Sequence, residues 1–191
     1  MKIKLFAIGL LAVLMVSIAG PSFAGRANAA APAVIVASAP VASAPSAHSE
    51  FLNRSRFLID MGIAFFAIHH VYNRYKQGYY ASGSSHRITH LVTAGATLLI
   101  AYHFLGNALK NANSSNSKTL HALVSPINSL LGKTHNIGST LQGAKSDSDV
   151  PTSSLDSSMQ GLNSQTSQLG SQASSNGYNI KDVSAPLPSG A

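Results

Sequence analysis

The chain has 191 residues, enough for one domain, and a formal net charge of +7. It contains no cysteine, which excludes disulfides, thiolate metal sites and covalent haem attachment. Its basic residues are too sparse for a nucleic-acid-binding surface, and they accompany apolar segments, a pattern that fits anionic lipid headgroups better. The sequence has no nucleophile elbow, no phosphate-binding glycine loop and no paired carboxylates. We therefore predict no catalytic residues and a non-enzymatic protein.

The first 48 residues have the features of a signal peptide and a linker. Residues 1–24 combine two lysines, an apolar run and small residues before Ala24, and Ala29 is a second candidate for the cleavage site. The apolar run is shorter than the ~20 residues that a membrane helix needs. Residues 25–48 repeat alanine, proline, valine and serine, which predicts a semi-rigid disordered linker. We therefore expect export across a bacterial-type inner membrane.

Two apolar segments follow and predict an antiparallel helical hairpin over residues 49–112. The first helix is expected to begin near Ser49 and to end near Gln77. The second is expected to begin at Ser84 or Ser85 and to end near Asn111. The connection is short and rich in glycine, serine and tyrosine, which favours an antiparallel pair.

The sequence favours two transmembrane spans for this hairpin. Basic residues surround the connection, at Arg74, Lys76 and Arg87, which satisfies the positive-inside rule after removal of a signal peptide. In this arrangement the protein lies in the inner membrane with its C-terminal region in the periplasm. The alternative is a soluble or interfacial hairpin, which makes the protein periplasmic or secreted.

One face of the second helix is predicted to pack closely against its neighbour. At 100° per residue, small side chains fall near one line at Ala94, Thr97, Ala101 and Ala108, with His90 at the start of the same face. Small residues let helix backbones approach each other within a membrane. We therefore predict that these four positions form a helix-packing face.

Four histidines lie at the connected ends of the two apolar helices. His69 and His70 end the first helix, and His86 and His90 begin the second, so an antiparallel hairpin places them near one another. Histidine is the commonest protein metal ligand, and histidines on facing helices hold haem in helical bundles. The alternatives are a metal site formed by His86, His90 and one of His69 or His70, a haem b held by His70 and His90, or histidines that only mark the membrane interface; neither cofactor is favoured over the other.

A second polar pair is predicted at the other end of the hairpin. Asp60 interrupts the first apolar segment, and His103 lies in the second. An ionisable residue within an apolar helix usually faces a partner inside the bundle. We therefore expect Asp60 and His103 to approach each other as a polar or proton-handling pair.

The C-terminal half predicts a second, weaker helical hairpin over residues 117–175. Apolar residues recur at alternating spacings of three and four, which is a heptad pattern. The first run is Leu120, Leu123, Ile127, Leu130, Thr134, Ile137 and Leu141, and the second is Leu155, Met159, Leu162, Thr166, Leu169 and Ala173. With Ser125 as an N-cap, the helix is expected to restart at Pro126. Glycines such as Gly138 should weaken this hairpin, and residues 176–191 are predicted to be a disordered tail.

The sequence thus predicts an all-α protein with an apolar hairpin, a polar heptad hairpin and disordered linker and tail segments. We expect a membrane-anchored envelope protein that acts through helix–helix contacts. Its expected partners are membrane lipid and either a second copy of the chain or another envelope protein, with no nucleic acid or small-molecule substrate. The alternatives are a histidine-ligated electron-transfer module and an oligomeric pore or pilus-like subunit.

Overall fold

The computed structural model describes residues 47–188, and the predicted signal peptide and nearly all of the predicted linker lie outside them. Within this range the protein is all-α, as predicted, and contains no strand. Its four α-helices are α1 (Ala47–Lys76), α2 (Arg87–Ser114), α3 (Lys118–Gln142) and α4 (Thr152–Ser175), with a 3-10 turn at Asp147–Asp149 before α4.

The four helices form one bundle. Each helix packs on two others: α1 contacts α2 and α4, and α3 also contacts α2 and α4. The two hairpins predicted from the sequence therefore share one hydrophobic core, with α2 packed on α3. This arrangement explains how α3 and α4 form stable helices despite many serines and glycines, because tertiary packing supplies most of the stability of such helices.

The heptad residues of α3 and α4 all face this core. Every predicted position in the two runs is buried, including Thr134 and Thr166. Each threonine hydroxyl donates a hydrogen bond to the carbonyl one turn earlier, at Leu130 and Leu162. The threonines therefore remain in the core without an unsatisfied hydroxyl.

The predicted helix restart at Pro126 is wrong. Helix α3 begins at Lys118, and Ser117 is its N-cap, accepting a hydrogen bond from the backbone N–H of Leu120. Pro126 lies inside the helix and only partly buried. Because Ala122 is exposed, its carbonyl oxygen can turn to water in place of the hydrogen bond that the proline cannot donate.

Two glycines allow α2 and α3 to come into backbone contact. A Cβ atom on Gly95 would lie 2.7 Å from the carbonyl oxygen of Gly138 and 2.8 Å from the Cα atom of Gln142. A Cβ atom on Gly138 would lie 3.2 Å from the Leu98 side chain. Gly138 therefore permits close packing, whereas the sequence indicated only that it weakens its helix.

Arg87 joins the two connections at one end of the bundle. Its side chain is only 3% exposed, and its Nε donates to the carbonyl oxygen of Tyr80 at 2.8 Å. The other guanidinium nitrogens donate to Val150 at 2.7 Å and to the carbonyl and carboxylate oxygens of Asp147 at 3.1 and 3.2 Å. One side chain thus fixes the α1–α2 connection against the segment between α3 and α4.

The segment after α4 is not a disordered tail where the structure describes it. Residues 178–188 lie along α1, and we call them the C-terminal strap. Tyr178 is buried, with its ring edge against Phe57 and its hydroxyl within 3.0 Å of Ser117 and Thr119. Further along, the backbone N–H of Val183 donates to the carbonyl oxygen of Gly62 at 3.0 Å.

Replacing Gly62 with alanine should release the strap from α1 while leaving the bundle folded. A Cβ atom there would overlap the carbonyl oxygen of Lys181 and lie 2.6 Å from the Val183 side chain. Hydrogen exchange measures the result: the amide of Val183 should lose its protection. Gly106→Ala is the matched control, because its Cβ would make an ordinary contact of 3.7 Å. Unchanged protection in Gly62→Ala would contradict this contact.

The structure supports one candidate membrane span instead of the two predicted. Among the described residues, only α2 is long and apolar enough to cross a membrane, and 39% of its most apolar stretch is buried inside the protein. The core helix of a soluble protein meets the same criteria.

Candidate functional site

The four histidines at the connected helix ends have separate surroundings. The Nδ1 atom of His69 lies 2.8 Å from a carboxylate oxygen of Asp182 in the C-terminal strap. The His70 ring lies against Phe66, with ring centroids 6.3 Å apart, and the His90 ring meets the Tyr79 ring edge-on at 5.2 Å.

No metal site assembles from these histidines in the part of the chain that the structure describes. His86 is exposed at the N-cap of α2, with a positive φ of 59°. No group of three or more histidine, aspartate or glutamate side chains within residues 47–188 is placed to hold a metal ion. The predicted set of His69, His70, His86 and His90 is therefore not gathered as a three-ligand group. Haem binding by His70 and His90 stays a prediction.

Asp60 is bonded to a different partner from the one predicted. Its carboxylate accepts a hydrogen bond from the side-chain amide of Asn111 at 2.9 Å, whereas His103 lies 3.3 Å from Asn107 on its own helix. Burial raises the pKa of Asp60 above 3.8, and the Asn111 hydrogen bond and the neighbouring His103 and Arg56 only partly offset it. His103 therefore lies near Asp60, but the hydrogen-bond donor to the carboxylate is Asn111, two turns further along α2.

Replacing Asp60 with asparagine should raise the melting temperature at pH 7. A raised pKa means that the folded state loses stability as the pH rises above about 3.8, so the carboxylate is unfavourable at neutral pH and an amide removes that cost. The gain should disappear near pH 3. Asp149→Asn is the opposite case: backbone N–H groups lower the pKa of Asp149, so this variant should melt earlier at pH 7. Equal melting temperatures for Asp60→Asn and the parent at pH 7 would contradict the assignment.

The predicted packing face of α2 lies inside the bundle. Ala94, Thr97, Ala101 and Ala108 are all fully buried. The hydroxyl of Thr97 donates to the carbonyl of Thr93 at 2.9 Å, which satisfies it within the helix. These residues therefore belong to the core and leave the opposite side of α2 as the surface that other molecules can reach.

An exposed apolar surface runs along the outside of α1 and α2. On α1, Ile59 is 52% exposed and Leu52 is 39% exposed, and Ile63 and Phe66 are partly exposed. At 100° per residue these four side chains form one stripe. On α2, two residues one turn apart are also partly exposed, on the side of the helix opposite the buried Leu98. We call this set the outer apolar face: Leu52, Ile59, Ile63, Phe66, Ala96 and Ile100.

Positive charge is concentrated on the same two helices. Between residues 47 and 114 the chain carries six basic residues against Glu50 and Asp60, and all but the buried Arg87 reach the surface; the basic residues are Arg54, Arg56, Arg74, Lys76, Arg87 and Lys110. At 100° per residue Arg56 lies within the stripe, between Leu52 and Ile59, and its side chain is exposed. Arg74 lies two turns beyond Phe66, and its guanidinium lies 4.6 Å from the centre of the Tyr79 ring.

Helices α3 and α4 present a different surface. Their exposed positions are mainly serine, asparagine, glutamine and threonine. Three lysines in residues 118–175 balance three aspartates; the six residues are Lys118, Lys133, Lys145, Asp147, Asp149 and Asp156. The bundle thus has an apolar, basic side on α1 and α2 and a polar side without net charge on α3 and α4.

A depression lies between α3 and α4, beside the 3-10 turn. It is lined by Ile137, Thr140, Val150 and Ser154, and by Asp149. The Asp149 carboxylate already accepts backbone N–H groups of this turn at 2.7 and 2.8 Å, which lowers its pKa below the ordinary value. This carboxylate therefore organises the connection, and the outer apolar face is the stronger candidate for binding.

Fold and surface together define an all-α bundle with one apolar, basic side. Comparison with protein-family models, with curated proteins and with solved structures finds no match for this chain. Its function is therefore inferred from the surface itself.

Proposed function

We propose that this protein is an exported, non-enzymatic envelope protein that associates with a membrane through α1 and α2. Helices α3 and α4 then face water, where their polar surface is free to contact other proteins. The observation that carries the proposal is the outer apolar face, because it combines exposed Ile59 and Leu52 with the excess of basic residues. Exposed apolar patches of this kind mark sites that bind membranes or proteins.

The N-terminal sequence supports the exported location. Lys2 and Lys4, the apolar run and the small residues before Ala24 are the three features of a secretory signal. An exported chain meets the outer surface of the inner membrane first. A protein with an apolar, basic side would therefore be close to lipid as soon as it folds.

An oligomeric pore or pilus-like subunit is the competing function. The same exposed residues on α1 could bury themselves against a second copy of the chain. Size measurement in solution and in detergent separates the two: a lone monomer speaks against the oligomer.

Fractionation of a bacterial host that expresses the tagged full chain tests the proposed function. We expect a product shortened at its N-terminus that sediments with the membranes. A chain lacking residues 1–24 is the control and should remain unexported. Full-length, unprocessed protein in the cytosol would contradict the proposal.

A further inference from the structure

We propose that the outer apolar face binds flat on the surface of an anionic bilayer, without crossing it. This proposal rests on the membrane association proposed above and specifies its geometry and its lipid. The axes of α1 and α2 would lie parallel to the membrane plane, and the bundle would stay intact.

The packing of α3 on α2 makes a spanning arrangement unfavourable. The two helices touch at Gly95 and Gly138 and, further along α2, at Tyr102 and His135, whose ring centroids are 4.8 Å apart. Further along, Gly106 faces α3, since a Cβ atom added there would lie 3.7 Å from the Leu131 side chain. Helix α3 therefore follows the apolar centre of α2, so a spanning α2 would carry α3 into the hydrocarbon.

The outer surface of α3 does not suit hydrocarbon. Its exposed side chains are mostly polar and include His121, Asn128, Ser129 and Asn136. Polar side chains facing lipid are unfavourable because no water is present to hydrogen-bond them. A folded bundle can thus meet a membrane only with the opposite side, which is the outer apolar face.

The shape of the apolar stripe fits the boundary between headgroups and acyl chains. From Leu52 to Phe66 the stripe covers 14 residue steps, or about 21 Å at 1.5 Å per residue. Its apolar members are leucine, isoleucine and phenylalanine side chains on one line of α1, with Arg56 among them, and Ile100 is partly exposed on α2. Helices that lie in the membrane interface bury such a face in the outer part of the bilayer.

The charge distribution identifies anionic lipid as the partner. Arg56 lies within the stripe and Arg74 lies two turns beyond Phe66, and their long side chains can reach phosphate groups while the isoleucines enter the acyl boundary. Pairing of this face with a second copy in two-fold symmetry would bring two basic surfaces together. An anionic surface complements the charge, whereas a second copy repeats it.

Flotation of the purified exported protein with lipid vesicles tests the proposal. We expect binding to vesicles that contain about one third phosphatidylglycerol, and weaker binding to vesicles of phosphatidylcholine alone. Each removed charge should weaken binding roughly five-fold, so Arg56→Gln with Arg74→Gln should reduce it about 25-fold. High salt should weaken wild-type binding in the same direction.

Matched variants separate this surface from general charge effects. Lys118→Gln with Lys145→Gln removes the same charge from exposed positions on the polar side and should leave binding nearly unchanged. Ile59→Ser should weaken binding to anionic vesicles several-fold. Because Ile59 is 52% exposed, this variant should still fold, and circular dichroism verifies that.

Two results would overturn the proposal. In the first, the wild-type protein binds neutral and anionic vesicles equally, and the Arg56→Gln, Arg74→Gln variant binds them as strongly as the wild type. In the second, the wild-type protein binds no vesicles and forms a dimer that Ile59→Ser dissociates. The first result leaves membrane association in the cell untouched and overturns only this proposal, whereas the second also contradicts the proposed membrane association through α1 and α2.

Discussion

Replacing Arg87 with methionine should lower the free energy of unfolding by about 3 kcal/mol or more. The guanidinium is buried and donates four hydrogen bonds. Methionine keeps the apolar stem but leaves the carbonyl oxygens of Tyr80 and Val150 without this donor. A buried acceptor that loses its partner costs about 1–3 kcal/mol.

Urea unfolding measures this loss, and a second arginine provides the control. Arg56 is exposed on α1, so Arg56→Met should change the free energy of unfolding by less than about 0.5 kcal/mol. Arg87→Lys should recover only part of the stability, because one ammonium group cannot reproduce a planar fork of donors. A change in Arg87→Met as small as that in Arg56→Met would show that Arg87 does not join the two connections.

Replacing Gly95 with alanine should destabilise the bundle by about 3 kcal/mol, although alanine is the better helix former. The new Cβ would lie 2.7 Å from the carbonyl oxygen of Gly138 and 2.8 Å from the Cα atom of Gln142. These are backbone atoms of α3 and cannot rotate away. The two helices would have to separate, and the core between them would loosen.

Gly132→Ala is the matched control for the close contact. Gly132 lies in α3, and a Cβ atom added there would meet no neighbouring atom within 4 Å, so alanine should stabilise the protein by up to ~1 kcal/mol. Thermal and urea unfolding of both variants give the comparison. If Gly95→Ala were as stable as Gly132→Ala, α2 and α3 would not pack in backbone contact.

The buried faces of the helices could be predicted from the sequence, because apolar or small residues recur there at helical spacing. The heptad positions of α3 and α4 are all buried, and the small residues at Ala94 and Ala101 are buried as expected. Apolar periodicity identifies the side of a helix that faces a core. It does not identify the neighbouring helix, so the packing of α3 on α2 was not foreseen.

Most features that the sequence did not predict involve single residues whose type is compatible with two different structural roles. Glycine inside a helix signals weakness, but at Gly95 and Gly138 it allows backbone contact. Arg87 beside the connection indicated a charge facing lipid or water, yet it is buried and hydrogen-bonded to carbonyl groups. None of these three residues belongs to a repeating pattern that would reveal its surroundings.

Contacts between residues far apart in the sequence, such as those of the C-terminal strap, could not be predicted. Tyr178 and Val183 lie in a polar stretch without periodicity, so nothing local indicated that they pack on α1. The strap also supplies Asp182, which contacts His69. One histidine of the predicted group thus contacts a carboxylate more than a hundred residues away in the sequence.

The depth of the outer apolar face in a bilayer is the most direct test of the account. The chain has no cysteine, so spin labels can be placed singly at Ile59→Cys, Ile100→Cys and, on the polar side, Asn128→Cys. In anionic vesicles we predict both labels on the face at one shallow depth, about 5–10 Å below the headgroups, and the Asn128 label in water. An Ile100 label at the centre of the bilayer, or all three labels in water, would contradict a folded bundle that lies on the membrane surface.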